Sequence, residues 1–326
     1  MFLMLWVNDF WTLNSIPKWL KHAVSGEDYL GFSDLIFPWF LFAIGLSIPF
    51  AFESRLSKGE NNITIAKHIF LRTIALLVMG LFHMNMEMYN HQLSIISKPI
   101  FVIISTLAFF MIWNDYSRLK GKNDFFYKLL PFLGVAVLII MFFIYRGQNY
   151  DGNAIGFSIH WWGILGLIGW VYNITAWTYF AFKKSIVALS IAFFICMILN
   201  FMDSSDISYA IFSWQRADWI PGSGGLQALS FAGIITSLCL KKYKSDIRIL
   251  YGILSFAGLM SLSLGLFLKK YFIISKIAGT PSFILISMST AMFLFIFLHW
   301  VVDARKQLNW YAPISVAGTA TLTCYL

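Results

Sequence analysis

Apolar runs recur along this 326-residue chain from one end to the other, and their length is what most limits the fold. A helix needs roughly 20 predominantly apolar residues to cross a bilayer. Set against that length, the runs give eleven segments. They are Met1 to Leu13, Phe32 to Phe52, Ile69 to Phe82, Pro99 to Trp113, Leu129 to Tyr145, Trp161 to Phe182, Ile186 to Phe201, Leu226 to Leu240, Ile249 to Leu268, Phe283 to Val302, and Trp310 to Leu326. The longest polar stretches between them, Arg146 to His160 and Met202 to Gly225, are loop-sized. The expected fold is therefore all-α: a polytopic integral membrane protein of about 11 transmembrane helices in one domain over residues 1–326.

Composition supports that class. Hydrophobic residues make up 59% and charged residues 12%, whereas an ordinary soluble domain carries about 25% charge. The first and last segments are expected to be truncated. Met1 to Leu13 is about seven residues short of a span and lacks the basic flank of a signal peptide, and Ala317 to Leu326 stops inside an apolar run. The net charge of +9 is spread in short clusters between apolar runs, with no binding motif beside them, so nucleic acid is not an expected partner. Cys196, Cys239 and Cys324 lie in apolar runs without metal-like spacing, which predicts neither a metal site nor a disulfide framework. No internal repeat is visible, which gives no support to a transporter built from symmetric halves. Pro221 to Gly225 is expected to be a turn before the next helix.

If the loops alternate sides, one set holds sixteen of the 24 basic residues, including Arg55, Lys67, Arg72, Lys183, Lys184, Lys241, Lys242 and Arg305. The positive-inside rule places that set in the cytoplasm. Lys269, Lys270 and Lys276 then lie outside and oppose the rule. On this topology His22, His83, His91 and His160 are outward, as are Asp9 and Asp34, while His68 and His299 are inward.

Among these residues, His22 stands just before the membrane segment that opens at Asp34, so an imidazole and a carboxylate meet at a helix mouth. A carboxylate in hydrocarbon is costly and is usually paired or faces a cavity, and histidine is the side chain suited to proton transfer near neutrality. Chemistry at the membrane boundary is the leading expectation. The structural alternative is a hydrogen-bonded network in which Asn8 caps one helix and Asp34 another.

Asn8, the run Lys21-His22-Ala23 and the run Asp34-Leu35-Ile36-Phe37-Pro38-Trp39-Phe40-Leu41-Phe42-Ala43-Ile44-Gly45-Leu46-Ser47 resemble the amino-terminal membrane signature of heparan-alpha-glucosaminide N-acetyltransferase and its bacterial relatives. The runs His160 to Trp170 and Thr280-Pro281-Ser282-Phe283 are similar to those of the bacterial members, so the resemblance spans most of the chain. It implies an eleven-helix acyltransferase that takes an acetyl or other acyl group from cytoplasmic acyl-coenzyme A to a sugar on the far side, in a bacterial inner membrane. In it His22 matches the active-site histidine, Asn8 the asparagine beside it, and Asp34 the aspartate opening the second motif. The large luminal domain of the animal enzyme is lacking, and the last run has threonines where relatives often have asparagine.

Those residue types suit acyl transfer. A neutral His22 could take the acceptor's proton, or carry the acyl group itself. Lys21 next door disfavours a protonated ring. The Asn8 carboxamide could donate to the developing oxyanion, an effect worth roughly 3–4 kcal/mol in comparable sites, and Asp34 would orient the imidazole. The donor's phosphates call for basic residues at inner helix ends, first Arg72, then Arg55, Lys67 and Arg305. Expected partners are the lipid bilayer, a sugar or glycan acceptor and, as a candidate homodimer, a second copy of the chain. The rivals are a transporter or flippase for a polar solute and an O-acyltransferase of cell-envelope glycans.

Overall fold

The computed structural model describes residues 2–8, 10, 13, 15–116, 124–149, 151–211, 223–307, 315 and 318. Nine of the eleven expected segments coincide with helices. Within the expected segment Met1 to Leu13 the described residues include α1, Phe2–Asn8, and Trp310 to Leu326 lies outside the described residues apart from two positions. Cys324, Asp9, Arg118, Lys120, Lys122 and Arg216 are outside them too.

The remaining helices are α2 (Phe32–Ser57), α3 (Asn62–Glu87), α4 (Lys98–Trp113), α5 (Asp124–Ile144), α6 (Ile164–Phe182), α7 (Ile186–Ser204), α8 (Ile207–Ile211), α9 (Gly225–Lys242), α10 (Ile247–Leu268) and α11 (Pro281–His299). A wider π turn, Trp300–Ala304, continues α11. Among the described residues seven helices are long and apolar enough to cross a membrane: α2, α3, α5, α6, α7, α10, and α11 with its extension. Helix α4 is apolar but shorter. The protein is a helical protein of the membrane type.

Residues divide between two compact units. The first comprises Met1–Ile69 and Val171–Leu326. Its centre is α9, which packs along α2 and also meets α7 and α11. A Cβ on Gly233 would stand 2.1 Å from the Phe42 carbonyl, and one on Gly45 1.9 Å from that of Ser230. Absent side chains thus bring two backbones together, as small residues do between membrane helices. The buried hydroxyls of α9 bond within protein: Ser230 donates to Thr175 at 3.2 Å, Thr236 to Ala232 O at 2.8 Å and Ser237 to Leu46 O at 2.5 Å. Surrounded by helices, α9 is less apolar than its neighbours because it need not face hydrocarbon. By contrast, α7 and α10 expose one apolar side each, Ile191, Phe194 and Ile198 on α7 and Phe256, Leu259 and Phe267 on α10. Contiguous apolar surface of that kind fits a lipid-facing side.

The second unit comprises Phe70–Trp170. Helices α4 and α5 pair within it, and a hairpin, β1 (Gly147–Gln148) with β2 (Ala154–Ile155), interrupts the stretch read from sequence as a loop. Tyr145, fully buried, donates to Asn85 O at 2.9 Å, while Asn85 bridges to Ser158 through both ends of its amide. Every polar group in that cluster therefore has a partner in an aromatic setting of Tyr89, Phe101 and Phe157.

Candidate functional site

The site grows from the first turn of α2. Amides there lack partners within the helix, and an acidic side chain at the third position can supply one. Asp34 is that residue: its Oδ2 accepts from Gly31 N at 3.1 Å and from Ala23 N at 2.9 Å, binding the helix start to the segment before it. Ser33 adds a second tie by donating to Leu20 O. With Oδ2 committed to backbone, Oδ1 turns to the His22 ring, 2.8 Å from Nδ1. The Asp34 side chain is 1% exposed and that of His22 12%, so the pair is shielded from solvent. A buried carboxylate is tolerated only when paired and hydrogen-bonded, and this one is both.

Gly31 makes the approach possible. A Cβ at that position would stand 1.8 Å from the Lys21 carbonyl, so only glycine lets residues 21–23 run this close to the helix mouth.

A third group joins the site, and the sequence reasoning did not include it. Lys276 Nζ lies 3.1 Å from His22 Nδ1 and 3.7 Å from Asp34 Oδ1. It sits on a turn braced on several sides. Thr280 Oγ1 donates to Ile273 O at 2.7 Å and accepts from Ser275 N at 3.2 Å, Ser282 donates to Phe272 O at 2.9 Å, and Asn200 donates to Gly279 O at 2.8 Å. Asp28 anchors the same turn by accepting from Ile274 N at 2.8 Å and pairing with Lys269 at 3.4 Å. Burial holds the Lys276 ammonium below the usual lysine range, opposed by the charge of Asp34. The one signal in the sequence was the group of lysines that broke the charge rule: two of the three, Lys269 and Lys276, have carboxylate partners here.

The expected residues are only partly brought together. His22 and Asp34 meet. Asn8, the last residue of α1, is exposed and makes no hydrogen bond to either. Arg55 is engaged by Glu60 at 2.8 Å and by His68 Nε2 at 2.9 Å. Arg305 stacks on the Trp300 ring, its guanidinium carbon 4.7 Å from the ring centre. Lys67 in the first unit and Arg72 in the second are exposed along α3. Among the histidines read as outward, His83, His91 and His160 belong to the second unit, where His83 stacks on Phe109. Of the glycine-rich turn, Pro221 and Gly222 lie outside the described residues, while Gly224 caps α9. Among the described residues no group of three metal-ligating side chains occurs.

A family model for a domain of unknown function, DUF5009, matches residues 15–235. The chain belongs to this family. The matched DUF5009 region contains His22 and Asp34, whereas Lys276 lies beyond its end. No curated protein matches the chain.

Proposed function

We propose that this DUF5009 protein is a membrane-embedded acyltransferase in which His22 is the general base. The observation that carries this reading is the shielded 2.8 Å bond between His22 Nδ1 and Asp34 Oδ1 at the mouth of an apolar helix. A proton on Nδ1 directed at the carboxylate leaves Nε2 as the basic nitrogen, the arrangement by which a carboxylate orients a catalytic imidazole. The resemblance of Lys21-His22-Ala23 and of the run from Asp34 to Ser47 to the heparan-alpha-glucosaminide N-acetyltransferase signature supports the reaction class.

In this reading an acceptor amine or hydroxyl attacks the thioester carbonyl of acetyl-coenzyme A. As the new C–N or C–O bond forms, Nε2 of His22 takes the acceptor's proton; as the C–S bond breaks, the same proton passes to the leaving thiolate. Asn8 is the candidate donor to the oxyanion. Lys67, Arg72, Arg55 and Arg305 are the candidates for the donor's phosphates, with Arg55 exchanging Glu60 for phosphate. An eleven-span topology in a bacterial inner membrane would put His22 on the extracytoplasmic side, facing a sugar or glycan acceptor.

The test is coenzyme A release from acetyl-coenzyme A by purified protein, with and without glucosamine, comparing wild type with His22→Ala and Asn8→Ala. Glucosamine-dependent release that falls by about 100-fold or more in His22→Ala is the expected result. Release undiminished in His22→Ala would remove the base from this site, and wild-type protein inert toward amine and hydroxyl acceptors alike would turn attention to transport.

A further inference from the structure

We propose that Lys276 is a positioning residue for His22, its ammonium opposing the charge of Asp34 so that the imidazole passes a proton on instead of retaining it. This inference rests on the reading of His22 as the base.

The argument begins with a conflict of geometry. His22 Nδ1 has one in-plane position for a hydrogen bond, yet two groups approach it: Asp34 Oδ1 at 2.8 Å and Lys276 Nζ at 3.1 Å. The shorter contact, between an ionised oxygen and a ring nitrogen, requires a proton between them, because two lone pairs at that distance repel. Nδ1 is then a donor, and an ammonium cannot donate to it. Lys276 instead faces the bonded pair, with its attraction directed to Asp34 Oδ1 at 3.7 Å.

Among the described groups, one carboxylate and one ammonium thus face the ring. When the ring accepts a second proton, the Asp34 charge stabilises the imidazolium and the Lys276 charge destabilises it. A histidine facing a buried carboxylate alone would hold its second proton more tightly. Opposite charges within about 4–6 Å shift such an equilibrium by about 1–3 pH units, so a lysine at 3.1 Å is close enough to offset much of the effect.

Several other described charges lie close to this segment of the chain. Lys21 adjoins His22 in the chain, Glu27 is paired with Lys18 at 2.7 Å, and Asp28 is paired with Lys269. Among the described residues, Lys276 is a cation that contacts the ring itself from another element, on a turn whose bracing by Asp28, Thr280 and Ser282 fixes its position.

The experiment reads the ring directly. Full-length protein carrying ¹⁵N-histidine is placed in lipid bilayers, the His22 ring signals are assigned by their loss in His22→Gln, and the spectra are followed against pH. Lys276→Met and Lys276→Gln, which remove the charge, are expected to move the midpoint of second-proton uptake upward by about one pH unit or more, and Lys276→Arg to leave it near the wild-type value. Two neutral variants keep the comparison readable where one of them folds poorly. A midpoint unchanged in both neutral variants overturns the inference, as does an Arg variant that behaves like Met. The spectra need no turnover: a shifted midpoint in a protein that transfers no acyl group would retain Lys276 as the modulator of His22 and reject the acyltransferase reading. Where turnover is measurable, the acid limb of kcat against pH moves with the spectral midpoint.

Discussion

Asp34 divides its two oxygens between tasks, and that division explains why a residue open to a purely structural reading also serves a site. Oδ2 closes the helix start through Gly31 N and Ala23 N, and Oδ1 orients the His22 ring. The two roles are coupled, since the hydrogen bond that Oδ2 accepts from Ala23 N also fixes the residue next to His22. Gly31 tests the coupling. In Gly31→Ala the new Cβ meets the Lys21 carbonyl, so residues 21–23 must withdraw and the His22 to Asp34 bond lengthens. Misplacement by about 1 Å is expected to lower acceptor-dependent coenzyme A release about 100-fold. The midpoint of thermal unfolding should fall as well, because the buried Asp34 carboxylate loses partners, so activity is compared at a temperature at which the variant is folded. Full activity in a folded Gly31→Ala protein would mean that the close approach has no bearing on the chemistry. At this scale His22 and Asp34 were legible because a charge opening an apolar run is conspicuous and its partner lies only 12 residues away. Lys276 was not, since 254 residues separate it from His22 and its charge read as an irregularity of topology. Asn8 was placed by resemblance alone, and its exposed position at the end of α1 shows why spacing could not decide its role.

Helices were legible to within a few residues wherever an apolar run fixed both ends, as with α4 expected at Pro99 and found from Lys98 to Trp113. They were less so where polar residues enter a helix. The expected start of α3 at Ile69 lies seven residues inside the helix that begins at Asn62, because Asn61 Oδ1 accepts from Thr64 N and carries the helix through Lys67 and His68. The hairpin β1 to β2 escaped notice because its strands are two residues each, too short for any alternation to register. Helix α9 marks a different limit. Its apolar run located it, and the only mark of enclosure in that run is its lower apolarity, with Ser230, Thr236 and Ser237 where a lipid-facing helix would carry apolar side chains. Close packing on α2 makes Gly233 sensitive: Gly233→Ala must push a Cβ against the Phe42 backbone, with an expected loss of about 1–3 kcal/mol. Gly252→Ala on α10 meets no atom within 4 Å and is expected to be neutral or stabilising by up to about 1 kcal/mol through helix propensity. Thermal unfolding in a fixed detergent compares the two, and equal midpoints would contradict the role given to the glycine contact.

Across the molecule, the lysines that broke the charge rule bear on topology as well as on chemistry. Positive charge biases orientation when it is available at the membrane surface. Lys269 faces Asp28 and Lys276 faces Asp34, so their charges are partly matched within the protein. Opposite them in the expected topology, Lys241 and Lys184 both pair with Glu53, yet Lys183, Lys242, Lys244 and Lys58 add exposed bases to that side. With the paired lysines discounted, the positive-inside rule still predicts the orientation in which the His22 side is extracytoplasmic. Substituted cysteines test it in intact cells: Lys18→Cys, on the His22 side, is expected to react with a membrane-impermeant maleimide, and Lys244→Cys only after the membrane is permeabilised. Both are made in a protein whose Cys196, Cys239 and Cys324 are replaced by alanine, so that each signal has one source. Reaction at Lys244→Cys before permeabilisation, with Lys18→Cys protected, would invert the topology. The His22 site would then open toward the cytoplasm, and an acyl donor and its acceptor would meet on one side with no transfer across the bilayer.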